Sequence, residues 1–94
     1  MRNRLAARVH NAKFRKARLG RRGYSMSQVD NFLDAIEREL VSPGRPDLRP
    51  ADLSSAVFDK ERFGRRGYDE GDVRNFLHAV ELELVDILIE GGWV

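Results

Sequence analysis

Two arginine-rich loops hold the side chains in this sequence best suited to chemistry. Arg18-Leu19-Gly20-Arg21-Arg22-Gly23 and Arg62-Phe63-Gly64-Arg65-Arg66-Gly67 each combine three guanidinium groups, two glycines and one apolar residue. A guanidinium is a planar fork of donors that fits phosphate oxygens. Glycine keeps the backbone thin and free to turn tightly. Close to an anionic bilayer each basic side chain contributes about 1 kcal/mol. Leu19 and Phe63 could add at most about 1.5–3 kcal/mol each if fully buried there. The candidate anion- or membrane-contact set is therefore Arg18, Leu19, Arg21, Arg22, Arg62, Phe63, Arg65 and Arg66. A structural reading stands beside it: glycines and tyrosines that shape a turn, Leu19 and Phe63 packed inward, and arginines paired with acids on nearby helices.

The loops belong to a repeat. Phe14, Gly20, Gly23 and Tyr24 return as Phe58, Gly64, Gly67 and Tyr68, a spacing of 44 residues without a gap. The echo continues through Val29/Val73, Asn31-Phe32-Leu33/Asn75-Phe76-Leu77 and Glu39-Leu40-Val41/Glu83-Leu84-Val85. Internal repetition means that one structural unit is used twice. We read residues 1–41 as the first repeat, 42–49 as a linker and 50–94 as the second repeat.

Each repeat reads as short helix, basic loop, long helix. In the first, Val29, Phe32, Leu33, Ile36 and Leu40 fall on one helical stripe. Ser25 and Gln28 form a capping-box pattern before it, and Pro43 ends it. In the second, acids fill the first turn after Asp69, where the helix dipole favours them. Val73, Leu77, Val80, Leu84 and Ile87 then follow a coiled-coil spacing, widened by Phe76 and stopped at Gly91-Gly92. Pro50 opens a short helical turn. The expected class is all-α, with the long helices paired as a parallel coiled-coil-like pseudo-dimer or across a homodimer. The first long helix is about 24 Å long and the linker reaches about 30 Å, so pairing within one chain is sterically allowed.

Composition narrows the function. Ninety-four residues without cysteine exclude disulfides and thiolate metal sites. His10 and His78 have no clustered partners, so no metal or other cofactor is expected. No stretch is apolar enough to span a membrane, and no secretory leader or organelle transit segment is expected. The net charge of +2 hides a polarity: residues 1–24 carry nine Lys/Arg and no acid, whereas residues 69–94 carry seven Asp/Glu and one Arg. Such a chain can meet phosphates at one end or pair head to tail. Asp30, Asp34, Glu37, Glu81, Glu83, Asp86 and Glu90 read as solvated helix faces. There is no nucleotide fingerprint and no Ser/His/Asp set, so no enzymatic activity is expected.

The ordered set Leu48, Pro50, Asp52-Leu53, Phe58, Arg66-Gly67-Tyr68-Asp69-Glu70, Val73, Phe76-Leu77 and Val80 resembles the N-terminal pattern of the DivIVA family of bacterial division and polar-growth proteins. Phe14, Gly23-Tyr24 and Val29-Asp30-x-Phe32-Leu33-Asp34 resemble it a second time, as in a tandem DivIVA-like repeat of actinobacterial type. The resemblance implies a parallel helical self-association unit with crossed basic loops that touch anionic lipid. It also implies a non-catalytic scaffold role in the cytoplasm, at the inner face of the cell membrane. Arg21 and Arg65 depart from the apolar residue that familiar members carry before Arg-Gly-Tyr. Arg74 stands where the first repeat keeps Asp30. The sequence reaches Val94 without the family's long coiled coil, so filament assembly is not carried over.

Three functional readings follow. The first is a self-associating adaptor, peripheral on anionic membrane through the arginine loops. The second is nucleic-acid binding through the basic N-terminal segment, disfavoured because Phe14 and Tyr24 read as core. The third is a soluble regulator docking on a larger DivIVA-type scaffold through an exposed seam at Val80 to Ile89 and the tail Gly91-Gly92-Trp93-Val94.

Overall fold

The computed structural model describes residues 2–91. Four helices follow one another: α1 (Arg2–His10), α2 (Met26–Val41), α3 (Pro50–Ser54) and α4 (Glu70–Glu90). The described residues contain no strand, only isolated bridges between the loops, so the chain is all-α. Residues 92–94, and with them Gly92, Trp93 and Val94 of the tail reading, lie outside the described part.

The helix ends are set by local chemistry. Ser25 caps α2, its Oγ accepting from Gln28 N at 3.3 Å. The capping box does not close, because the Gln28 side chain reaches Asp59 instead and Ser25 N donates to Asp59 O. At the other end Ser42 is extended, as expected before Pro43. Arg2 collects carbonyls at and just beyond the end of α2, donating to Glu39 O (3.2 Å) and Leu40 O (2.8 Å) in the last turn and to Ser42 O (2.8 Å) and Gly44 O (2.7 Å) after it. A cation at that position also suits the negative end of the helix dipole. Asp69 caps α4 through Asp72 N at 2.9 Å, and Gly91 ends it with φ +70°. Pro50 stands at the start of α3, where its missing N–H costs nothing.

Arg2 at the C-terminal end of α2 makes α1 antiparallel to it. Arg8 of α1 also pairs with Glu83, well along α4. Since Tyr24 and Tyr68, just before α2 and α4, pair with each other, the two long helices leave the same end and run the same way. The close helix pairs are α1 with α2, α3 with α4, and α1 with α4; no Cα of α2 lies within 8 Å of one of α4. Four-helix packing thus takes the place of the two-stranded coiled-coil contact suggested by the spacing in α4. Leu5, Ala6 and Val9 of α1 complete the apolar layer that the long helices alone would have closed.

Both stripes are buried in one cluster. Val29, Leu33, Ile36 and Leu40 of α2 join Val73, Leu77, Val80, Leu84 and Ile87 of α4, with Leu53 and Phe58. Phe32 and Phe76 pack at its margin, half-buried. The seam proposed for docking is therefore largely used inside the chain: Val80, Leu84 and Ile87 are buried, and only Leu82, Val85 and Ile89 face outward. The molecule is a rod of 47 × 18 × 18 Å.

Leu77 is 0% exposed and central to the cluster. Leu77→Ala is expected to cost about 2–5 kcal/mol, a large share of the roughly 5–15 kcal/mol that folds a small domain. Urea unfolding followed by circular dichroism measures it.

Candidate functional site: the crossed arginine loops

The loops cross each other at the start of α2 and α4. Tyr24 N donates to Tyr68 O (3.0 Å) and Tyr68 N to Tyr24 O (3.1 Å). Around this centre the bonds come in equivalent pairs. Ala17 N to Gly67 O matches Glu61 N to Gly23 O, and Asp69 N to Arg15 O matches Ser25 N to Asp59 O. The aromatic rings are exchanged too. Phe14 packs on Tyr68 and Phe76 of the second repeat, with centroids at 5.2 and 5.6 Å. Phe58 packs on Tyr24 and Phe32 of the first, at 5.3 and 5.6 Å. The repeats therefore interlock within one chain.

Two glycines permit the crossing. A Cβ on Gly23 would drive into the Tyr68 carbonyl, and one on Gly67 would meet Tyr24 O and Glu61 Cβ at 2.7 Å. Gly20 and Gly64 have a different task. With φ of +84° and +88° they occupy the third position of turns closed by Arg21 N to Arg18 O and Arg65 N to Arg62 O, both 3.0 Å. Positive φ there is the mark of a type II turn. It places Leu19 and Phe63 at the second position, on the tips, where they are 84% and 91% exposed. The inward packing of Leu19 and Phe63 considered from sequence does not occur.

The six loop arginines divide into two kinds. Arg22 Nε donates to Glu61 O (2.8 Å) and Arg66 Nε to Ala17 O (2.6 Å), each tying its own loop to the other. Arg18, Arg21, Arg62 and Arg65 are exposed, and their guanidinium groups make no hydrogen bond or ion pair among the described residues. The larger cleft beside the loops, about 820 Å³, has Arg18, Arg21, Arg22 and Lys60 facing Asp69 and Glu70. Its mixed charge makes it a poor anion pocket. Charge of one sign is found at the tips.

Several residues outside the candidate contact set hold this end together. Glu61 is buried, its carboxylate accepting from Met26 N (3.0 Å) and Arg62 N (2.9 Å). It supplies an anion to the start of α2, whose first turn has no acid of its own. Those two backbone donors hold its carboxyl below the usual range. Arg15 binds Asp72 with Nε at 3.0 Å and Nη2 at 2.7 Å, and its backbone N adds a third bond at 3.0 Å. This pushes Asp72 down to about 2 and the guanidinium up. Arg74 donates to Tyr24 Oη (2.9 Å), Ser54 O (2.9 Å) and Ala56 O. Tyr68 Oη donates to Asp30 (2.8 Å); burial first, then this bond, push the phenol up to about 12.

The remaining acids and the basic N-terminal segment are partly spent on one another. Glu37 meets His10 at 3.1 Å, Glu81 meets His78 at 3.4 Å, and Glu83 meets Arg8. Of the nine basic residues in the first 24, Arg8 and Arg15 are paired with acids and Arg2 is held by backbone carbonyl oxygens. Among the described residues no group of three or more His, Asp or Glu is arranged to hold a metal ion, and no helix is long and apolar enough to cross a membrane.

The chain is 53% identical over 35 residues to the cell wall synthesis protein Wag31 of Mycobacterium tuberculosis. It matches the Wag31 proteins of Mycobacterium leprae and Mycolicibacterium smegmatis to the same degree. The stretch is 37% of this chain, but only 13–14% of those proteins. It is shorter than one copy of the repeat and supports a DivIVA-like relationship. No family model matches the chain, and no solved structure does.

Two predictions test the loops. Gly23→Ala is expected to disrupt the crossing and unfold the loop end, whereas Gly20→Ala, with open space around it, costs only about 1 kcal/mol for its positive φ. Thermal melts and amide exchange at Tyr24 and Tyr68 distinguish them. Asp72 is held at about 2 against an ordinary 3.8. A depressed carboxylate stabilises the fold above its ordinary value and loses that contribution as pH falls from about 4 to about 2. Asp72→Asn is expected to flatten that part of the stability–pH curve in urea titrations.

Proposed function

We propose that this protein is a non-enzymatic, DivIVA-like adaptor of bacterial cell division or polar growth. In this reading it lies peripherally on anionic membrane, tips first, and associates with copies of itself or with a larger DivIVA-type protein. The observation that carries the membrane part is the pair of exposed apolar tips, Leu19 and Phe63, each between two arginines whose side chains have no hydrogen-bond or ion-pair partner among the described residues, at the end where both long helices begin. A tip of this kind can dip a side chain into the interface while its guanidinium groups stay among the phosphates. The match to cell wall synthesis proteins supports the setting, growth of the bacterial envelope. Arg22 and Arg66 hold the loops together in this proposal; Arg18, Arg21, Arg62 and Arg65 are the lipid-facing set.

Four basic groups at about 1 kcal/mol each amount to roughly a thousandfold in partitioning. The protein is expected to co-sediment with phosphatidylglycerol vesicles but not with neutral phosphatidylcholine vesicles, and to be released by salt. Changing Arg18, Arg21, Arg62 and Arg65 to Glu abolishes pelleting with the melting temperature retained. Changing Leu19 and Phe63 to Ser weakens it. Equal pelleting on both lipids, or no effect of the four changes, refutes the membrane role.

A further inference from the structure

The backbone ladder and the exchanged aromatic rings are the same on both sides of the crossing, so they would serve any combination of the two repeats. The side chains that break the repeat would not. Position 15 faces position 72 in the crossing, and position 59 equally faces position 28. On one side the pair is Arg15 with Asp72. On the other it is Asp59 with Gln28, joined by Gln28 Nε2 to Asp59 Oδ2 (2.9 Å) and Asp59 N to Gln28 Oε1 (2.7 Å). The polarity is reversed between the two sides. Asp30 and Arg74 reverse it again: one accepts from the opposite tyrosine and the other donates to it.

Other pairings follow by the same geometry. Two first repeats would set Arg15 against Gln28 twice, losing the ion pair without a clash. Two second repeats would set Asp59 against Asp72 twice, without the Arg15 guanidinium that Asp72 binds here. They would also bring Glu61 to the start of α4, where Glu70, already paired with Lys60, and Asp72 stand. Like charges held opposite each other are destabilising, and selectivity needs such a repulsive element besides an attractive one.

We propose that the crossing is a selective lock: the loop face of the first repeat takes a second repeat as its partner, and the second repeat rejects its own kind. The partner it fits is therefore a face with an acid at position 72, in this chain or in another copy. Homotypic pairing of the kind open to a single-repeat protein is closed to the second repeat and, for the first, forgoes the ion pair. This selectivity does not depend on whether the tips meet lipid.

Asp59→Arg isolates the effect in the full chain. In the closed form the introduced guanidinium meets the neutral Gln28, so folding is retained; between two second repeats it meets Asp72, and the repulsion becomes attraction. The variant and the unaltered chain are refolded from urea over a hundredfold range of concentration and measured by sedimentation equilibrium. The association constant for the doubled-mass species is expected to rise by at least about tenfold. In a second arm, Asp72→Arg sets a second guanidinium against Arg15 and lowers the melting temperature by about 4–8 °C, and adding Arg15→Asp restores it. Equal association of Asp59→Arg and the unaltered chain, or failure of Arg15→Asp to rescue Asp72→Arg, overturns the proposal.

Discussion

The reciprocal backbone bonds between Tyr24 and Tyr68 are the constraint on which the loop end depends. Two chain segments approach so closely there that neither Gly23 nor Gly67 has room for a side chain. The crossing carries Phe14 and Phe58 into the opposite repeats, so neither repeat can complete its aromatic margin alone. Each long helix then starts from the same place and buries its stripe in the shared cluster. The loops beyond the crossing have nothing left to pack against, which is why their tips are in solvent.

This division of labour explains why arginines with the same sequence context have different roles. Arg22 and Arg66 lie next to the crossing glycines and meet carbonyl oxygens of the other loop. Arg18, Arg21, Arg62 and Arg65 bracket the two turns, beyond reach of those carbonyls. None of the four is held in a hydrogen bond or ion pair among the described residues, although Arg18 and Arg21 share the cleft with Asp69 and Glu70, and Arg62 and Arg65 feel Glu61. Two cations beside each exposed apolar tip make a surface suited to phosphates above hydrocarbon. Charge at the cleft behind it is already compensated by Asp69 and Glu70.

The architecture was largely legible in the sequence, because apolar period and caps are local signals. Helix ends at Met26, Val41, Pro50 and Glu90 follow from Ser25, Pro43, Pro50 and Gly91. The packing of the long helices was less legible. A three-four spacing in α4 fits a two-stranded coiled coil, and only the apolar face of α1 shows that another helix joins the layer. In the loops, the sequence pointed to all eight candidate residues but did not separate the ties from the tips. That separation depends on which carbonyls lie within reach, a long-range property of the crossing. Glu61, Arg15 and Asp72 escaped notice, and Arg74 was noticed only as a departure from the Asp30 of the first repeat, for a physical reason. A repeat announces itself through the positions its copies share, whereas these four lie where the copies differ in charge, at 17/61, 15/59, 28/72 and 30/74. In a duplicated chain the mismatched positions mark where one copy has adapted to the other.

Fusion of the two repeats makes that adaptation possible. Between two identical chains every position appears twice, so both sides of a crossing must carry the same pair of residues. In a tandem chain the two sides can differ. One side here holds an arginine against an acid, the other an acid against an amide, and a buried carboxylate serves α2 where Ala17 stands opposite at α4. The short connection from Ser42 to Arg49 also turns pairing into an intramolecular event, whose effective concentration for a short linker is of millimolar order. Both arginine tips are then presented together at any protein concentration, whereas a protein with one repeat per chain has to associate first.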